Sequence, residues 1–282
     1  MEHYYAETED VAQQLSELKL RLDKLRPLTP EQVRQAWPMI ENDSIYYTYA
    51  TNAIEGSTLT RGETTNLLEY GVTVGGKPMR DHIDAVNGQS AFLKMLEMVR
   101  AKTAITEEVI KDFHQVVAGA DTPSAGLYRV DQRYIKGSLH VPPPAHKVRP
   151  RMSELLWIYE DDVAKGTHPV IVAAKLHYGI ANIHPFTDYN GRTSRLVMNM
   201  HLLENGFVPI TIDIQERPNY LEALETSSRS GNALDGDPGR GNPAPFVLYI
   251  AEMERRSLQR YVDVINSAAP RNGSSDAAPR DE

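Results

Sequence analysis

The chain has 282 residues, 41% hydrophobic and 24% charged, enough to bury one good core or two modest ones. A net charge of -8 argues against non-specific affinity for nucleic acid, and the absence of cysteine excludes disulfides and thiolate zinc sites. No apolar run approaches the roughly 20 residues that span a bilayer, and the acidic opening Met1-Glu2-His3-Tyr4-Tyr5 is unlike a signal peptide, so a soluble, cytoplasmic protein with neither nucleic-acid nor membrane partners is expected.

Val11, Leu15, Leu18, Leu22 and Leu25 recur at spacings of four and three. This predicts an opening helix from about Glu7 to Arg26 with one narrow apolar stripe, free to pack on the core or on a twin in a homodimer. Thr29-Pro30-Glu31-Gln32 and Thr60-Arg61-Gly62-Glu63 carry N-terminal capping patterns, so a short helix should follow each. Between them a helix from about Met39 to Ile54 or Glu55 should stop at Gly56, the residue type that most easily takes a left-handed turn.

Further helices are expected near residues 79–101, 107–118, 151–164, 169–182, 191–204, 217–229 and 245–267. The stretch from about 132 to 141, with Gly137-Ser138 at its turn and Pro142-Pro143-Pro144 behind it, reads as a small β-hairpin. The fold class is therefore mainly α, with an N-terminal helical extension (1–36), a helical core (37–267) and a tail (268–282) whose composition predicts disorder. Gly71-Val72-Thr73-Val74-Gly75-Gly76-Lys77 matches the first seven positions of a P-loop. Pro78, however, stands where Ser or Thr should ligate magnesium, and a helix rather than a strand precedes it, so this is read as an ordinary glycine-rich turn.

The chemistry concentrates in His184-Pro185-Phe186-Thr187-Asp188-Tyr189-Asn190-Gly191-Arg192-Thr193-Ser194-Arg195. Asn190-Gly191 marks a turn that opens a helix, and amides at a helix start converge on an anion such as phosphate. Arg192 and Arg195 are three residues apart, on one face of the first turn, where they can grip successive phosphates. Asp188 offers hard oxygens to a Mg²⁺ shared with those phosphates. His184, after a helix, can take a proton from an attacking hydroxyl. Together these residue types describe a nucleotide transferase site. His114 and His177, on helical faces, read as structural.

This segment resembles the Fic family signature His-x-Phe-x-Asp/Glu-Gly-Asn-Gly-Arg-x-x-Arg, and Thr51-Asn52-Ala53-Ile54-Glu55-Gly56 resembles the family's inhibitory motif Ser/Thr-x-x-x-Glu-Gly/Asn. The resemblance covers roughly Tyr46 to Leu258. It implies a Fic-type helical bundle with a β-hairpin flap over the active site. It further implies transfer of AMP from ATP, with Mg²⁺, to a Ser, Thr or Tyr hydroxyl of a target protein. His184 would be the general base, Phe186 the core anchor of the loop and Asp188 the metal ligand. The nucleotide would be bound by Thr187, Tyr189, Asn190, Gly191, Arg192, Thr193, Ser194 and Arg195. Ile135 and Gly137 of the flap would border it, and Tyr220 would lie near the adenine. Glu55 would be a built-in brake, pairing with Arg195 in place of the γ-phosphate. In some relatives the matching glutamate also serves removal of AMP.

Tyr189 departs from the family pattern, which has glycine there. Either the position needs a positive φ and stores strain, with a ring that can meet the nucleotide, or the backbone is ordinary and the ring points away. The departure leaves room for another nucleotide or a phosphocholine donor, or for a binding module without catalysis. Kinase chemistry of the related death-on-curing type is disfavoured, because those proteins carry lysine where Gly191 stands.

Overall fold

The protein was described from a computed structural model, which covers residues 2–27, 44–229 and 241–267. The helix expected after Thr29, the helix start near Met39, the boundary at residue 36 and the tail from Ala268 lie outside the described residues. In chain order the helices are α1 (Glu2–Lys24), α2 (residues 44–54), α3 (Arg61–Tyr70), α4 (Met79–Arg100) and α5 (Glu107–Ala118). They continue with α6 (Ala145–Ala164), α7 (Pro169–Ile183), α8 (Asn190–Glu204), α9 (Arg217–Arg229) and α10 (Ala244–Ser267).

Helices α7 and α8 form the centre, α7 because its sequence is largely apolar and α8 because its buried polar side chains find partners on neighbouring elements. On α7, Val170, Val172, Ala173, Ala174, Leu176 and Ile180 are all buried. On α8 every residue from Arg192 to Leu202 is buried. One apolar cluster packs α1, α9 and α10 against this pair through Leu15, Leu22, Tyr220, Phe246 and Ile250. A second packs α2, α4, α5 and α6 against it through Tyr47, Phe92, Phe113, Met152 and Phe186. The loop between α7 and α8 thus emerges where both clusters meet.

The stripe of α1 is spent inside the chain: Leu15 and Leu22 are each 1% exposed against α10 and its neighbours. At about 25 cal/mol per Å², burying each such side chain stabilises by roughly 1.5–3 kcal/mol. Local signals set most helix ends. Thr60 and Glu63 form the reciprocal capping box of α3, and Gly71 (φ 68°) ends that helix in the left-handed conformation, so the P-loop-like glycine is a cap. Thr106 caps α5 by accepting from the Val109 amide, and Pro169 opens α7 at its first turn.

Two expectations are corrected. Helix α6 begins at Ala145, six residues before the expected start, and holds Pro150 inside it. Burial of Val148 (1% exposed) and Met152 (0%) on either side of the proline outweighs its missing donor. Among the described residues there is no strand, so the β-hairpin does not appear. Residues 132–141 are extended around a turn at Lys136-Gly137 (Gly137 φ 83°). Side chains take some of their polar groups: Glu225 of α9 accepts from the Leu139 amide (3.1 Å) and the Ser138 hydroxyl, and Gln132 Nε2 donates to Pro142 O (3.0 Å).

Candidate active site

Residues 184–189 join α7 to α8, and both ends of this loop are left-handed. His184 (φ 51°, ψ 57°) closes α7, its amide donating to Ile180 O at 2.9 Å. Tyr189 (φ 61°, ψ 9°) opens α8. Between them Phe186 is fully buried and stacks on His114, ring centroids 3.8 Å apart. The Asn190 side chain clips the loop, accepting from the Phe186 amide and donating to the Phe186 carbonyl, each at 2.9 Å. His114 accepts from the Gly126 amide at Nδ1 (2.8 Å), which leaves Nε2 to donate to Asp188 O (3.3 Å). That tautomer is neutral, and burial holds the ring's pKa down to about 4. Its role is structural, as its place on a helix face implied.

Arg129 is the second fastening, and nothing in its sequence context announces it. It is buried and donates to the carbonyls of His184 (2.8 Å), Asp131 (2.9 Å) and Pro143, while its amide donates to Pro185 O (2.9 Å). One guanidinium therefore ties the end of α7, the loop and both roots of the flap segment together. Burial lowers its pKa, and the nearby Arg133 adds to this.

A cleft of about 200 Å³ opens between this loop, the end of α2, the flap segment and α9. Its lining includes Glu55, Ile135, Gly137, His184, Asn190, Gly191 and Tyr220, which brings together seven residues singled out in the sequence. Burial, helped by Arg129, lowers the His184 pKa to about 4 against a hydrogen bond to the Ala181 backbone and the Asp188 and Glu55 carboxylates, which act the other way. The imidazole is thus unprotonated at neutral pH, the form that accepts a proton.

The inner end of the cleft is the N-terminus of α8. Asn190, Gly191 and Arg192 precede the first intrahelical bond, made by the Thr193 amide to Tyr189 O (3.0 Å), so their amides face outward where an anion is favoured. Glu55 supplies an anion there. Its Oε1 accepts from Arg195 Nη2 at 2.8 Å and lies 2.7 Å from where a Cβ on Gly191 would stand. Any side chain at 191 would collide with this pair. Burial raises the Glu55 pKa, but Arg195 and Arg192 more than reverse this and hold it below its ordinary value.

Arg195, 2% exposed, is held on every side. Its Nε donates to Thr51 Oγ1 (2.8 Å), Nη2 to Thr51 O (3.1 Å) and Nη1 to Tyr220 OH (3.2 Å). Thr51 and Glu55 are one helical turn apart, so one face of α2 presents both to the same guanidinium. The expectation that Arg192 shares a face with Arg195 towards an anion is corrected. Arg192 turns to Asp84 Oδ2 (2.8 Å) and Asn52 Oδ1 (3.2 Å), captured by the carboxylate that α4 brings alongside. Its backbone amide alone stays at the helix start.

Tyr189 combines the two outcomes weighed for it. The φ is positive, at a cost of about 1–3 kcal/mol for a non-glycine residue, yet the ring lies outside the cleft. Its hydroxyl donates to Asp84 Oδ1 (3.1 Å) and its face lies 4.1 Å beneath the Arg192 guanidinium, contacts that offset the strain. Thr193 and Ser194 are fully buried, with Ser194 Oγ donating to Gly191 O (2.9 Å); they belong to the interior of α8, and Thr187 is half-buried in the loop. Tyr220 packs edge-on against His177 (ring centroids 5.7 Å) and braces Arg195.

Asp188 points outward from the loop. Its Oδ1 accepts from the Tyr189 amide and its Oδ2 from Arg80 Nη2, both at 2.7 Å. Burial raises its pKa, but the Tyr189 amide, Arg80 and Arg192 outweigh that and keep it ionised. Among the described residues no three His, Cys, Asp or Glu side chains gather into a metal site. A lone exposed carboxylate beside an anion cradle suits Mg²⁺ as it is usually held, by one or two carboxylates together with substrate phosphates. No helix among the described residues is long and apolar enough to cross a membrane.

Residues 104–202 match the Fic/DOC family. The chain is 34% identical over 218 residues to protein adenylyltransferase Fic of Nematostella vectensis, covering 76% of this chain and 48% of that one. It is 30% identical over 234 residues to protein adenylyltransferase fic-1 of Caenorhabditis elegans, covering 82% and 44%. Among solved structures it is similar to a Fic domain containing signalling protein from Bacteroides thetaiotaomicron (TM-score 0.80, 26% identity, 90% of this chain and 98% of that one). It is also similar to Fic-1 of C. elegans (TM-score 0.78, 27% identity, 94% and 74%). The chain spans about half the length of the curated relatives it matches, between 44% and 51%.

Proposed function

Because the chain belongs to the Fic/DOC family, we propose that it is an autoinhibited protein adenylyltransferase, moving AMP from ATP to a hydroxyl side chain of a target protein. The observation that carries this is the Glu55–Arg195 pair seated on the N-terminus of α8, with an unprotonated His184 in the same cleft. In the reaction the target hydroxyl attacks the α-phosphorus of ATP. Its oxygen forms the new P–O bond, the bond to the bridging oxygen breaks, pyrophosphate leaves and the hydroxyl proton passes to His184 Nε2 or Nδ1, whichever faces the cleft.

The amides of Asn190, Gly191 and Arg192 would receive the phosphates. Arg195, released by Glu55, would meet the γ-phosphate. Mg²⁺ brought by the phosphates and held at Asp188 would neutralise charge on the departing pyrophosphate. Tyr220 would act by bracing Arg195 and walling the cleft. Ile135 and Gly137 would border the nucleotide, while the outward side of the flap segment, where Tyr134 and Leu139 are exposed, would receive the main chain of the target by strand addition.

Glu55 would block this chemistry while paired with Arg195, since its carboxylate and a γ-phosphate would need the same guanidinium. The reading is tested with ATP labelled at the α-phosphate. Label should pass to protein with Glu55→Gly and not with Glu55→Gly/His184→Ala. Transfer from γ-labelled ATP alone would replace the proposal with kinase chemistry.

A further inference from the structure

We infer that Arg80 is a resident cation on Asp188 that an incoming metal must displace, so that this residue sets how much divalent cation the site demands. The inference rests on the reading of Asp188 as the ligand of a phosphate-borne Mg²⁺. Arg80 stands in the first turn of α4 and its Nη2 lies 2.7 Å from Asp188 Oδ2. With Tyr189 donating its amide to Oδ1, both carboxylate oxygens already have a partner. A guanidinium and a divalent cation would compete for the same oxygen.

Arg80 differs from the arginines of α8 in being free to leave. Its side chain is 60% exposed, against 5% for Arg192 and 2% for Arg195. It also has somewhere to go. Asp84 lies one helical turn along α4, with Oδ2 already 3.7 Å from Arg80 Nε, and the face of Tyr189 lies 5.6 Å from the guanidinium. The ring that replaces the family's first glycine therefore builds part of the second berth, which ties this chain's departure from the pattern to its handling of the metal. Arg192 shares Asp84 from the other side at 2.8 Å, so this carboxylate already borders both guanidinium groups and can keep Arg80 when Asp188 gives it up.

The test uses Mn²⁺ alone, without nucleotide, titrated into isotope-labelled full-length chain while the amide signal of Tyr189 is followed for paramagnetic broadening. Because an exposed ion pair is weak, Arg80→Gln should reach half-broadening at about two- to fivefold lower Mn²⁺ than the wild type. Arg80→Lys should stay close to the wild type, and Asp188→Asn should remove the broadening in either background. An Arg80→Gln titration that superimposes on the wild type would overturn the inference, and so would broadening that survives Asp188→Asn. No nucleotide enters this measurement, so its outcome is independent of whether AMP transfer is observed.

Discussion

Glu55 Oε1 and Arg195 Nη2 lie 2.8 Å apart although their residues are 140 positions apart in the chain, and the contact places a carboxylate at the start of α8 where a phosphate would be favoured. Removing it should free the guanidinium without unseating it, since Thr51 and Tyr220 still accept from Arg195. A charge-assisted contact of about 1.5–3 kcal/mol corresponds to a rise of roughly ten- to a hundredfold in ATP affinity or transfer for Glu55→Gly. Calorimetric titration with Mg·ATP reads this directly, and equal affinities in the two proteins would refute the brake.

Tyr189 offers a separation of backbone from side chain. Alanine would keep the cost of the left-handed backbone while losing the ring's bonds to Asp84 and Arg192; glycine would lose the ring but also the strain. Tyr189→Ala should therefore be less stable than Tyr189→Gly by about 1 kcal/mol, measured as the difference in urea midpoints at equal slope. The reverse order would mean that the φ of 61° carries no strain.

Arg129 should prove costlier to lose than its position in a loop suggests. Replacement by Met would strand the carbonyls of the half-buried His184 and Pro143 and of the exposed Asp131, at about 1–3 kcal/mol for each group left unsatisfied away from water. Denaturant unfolding should register a loss of at least about 2 kcal/mol. Transfer by the Glu55→Gly background should fall with it, because His184 loses its fastening.

Most of the helical frame was legible, and the reasons are local. The capping box at Thr60 and Glu63, the proline opening α7 and the apolar spacing of α1 each act within a few residues. His184, Asp188, Gly191 and Arg195 stand out by type and spacing and Glu55 only by its resemblance to the family motif; folding brings Glu55, His184 and Gly191 to one cleft, with Arg195 paired to Glu55. What escaped depends on distant partners. Asp84 is an unremarkable acid inside α4 until folding sets it 2.8 Å from Arg192, and Arg129 is a loop arginine until the carbonyls of His184, Asp131 and Pro143 meet around it. The hairpin expected from the sequence is absent for the same reason: Glu225, 86 positions beyond Leu139, takes an amide that a strand would have paired.

Acid should destabilise the fold through its buried imidazoles. His114, His184 and His201 titrate near 4 in the folded chain against 6.5 ordinarily, so the unfolded chain binds more protons between those values. Their contribution is fully present above about 6.5 and is lost as pH falls towards 4, by up to about 3 kcal/mol for each group. The melting temperature should therefore fall steadily from pH 6.5 to 4, and His114→Gln should flatten part of that slope. A melting temperature that is level across this range would contradict the neutral assignment.

The most direct measurement is intact-protein mass spectrometry of wild type, Glu55→Gly and Glu55→Gly/His184→Ala after incubation with Mg·ATP and a mixture of candidate target proteins. The account predicts an AMP-sized adduct, on the chain itself or on a target, with Glu55→Gly, little with the wild type and none with the double variant. An adduct of equal yield in wild type and Glu55→Gly, or one that persists without His184, would contradict it.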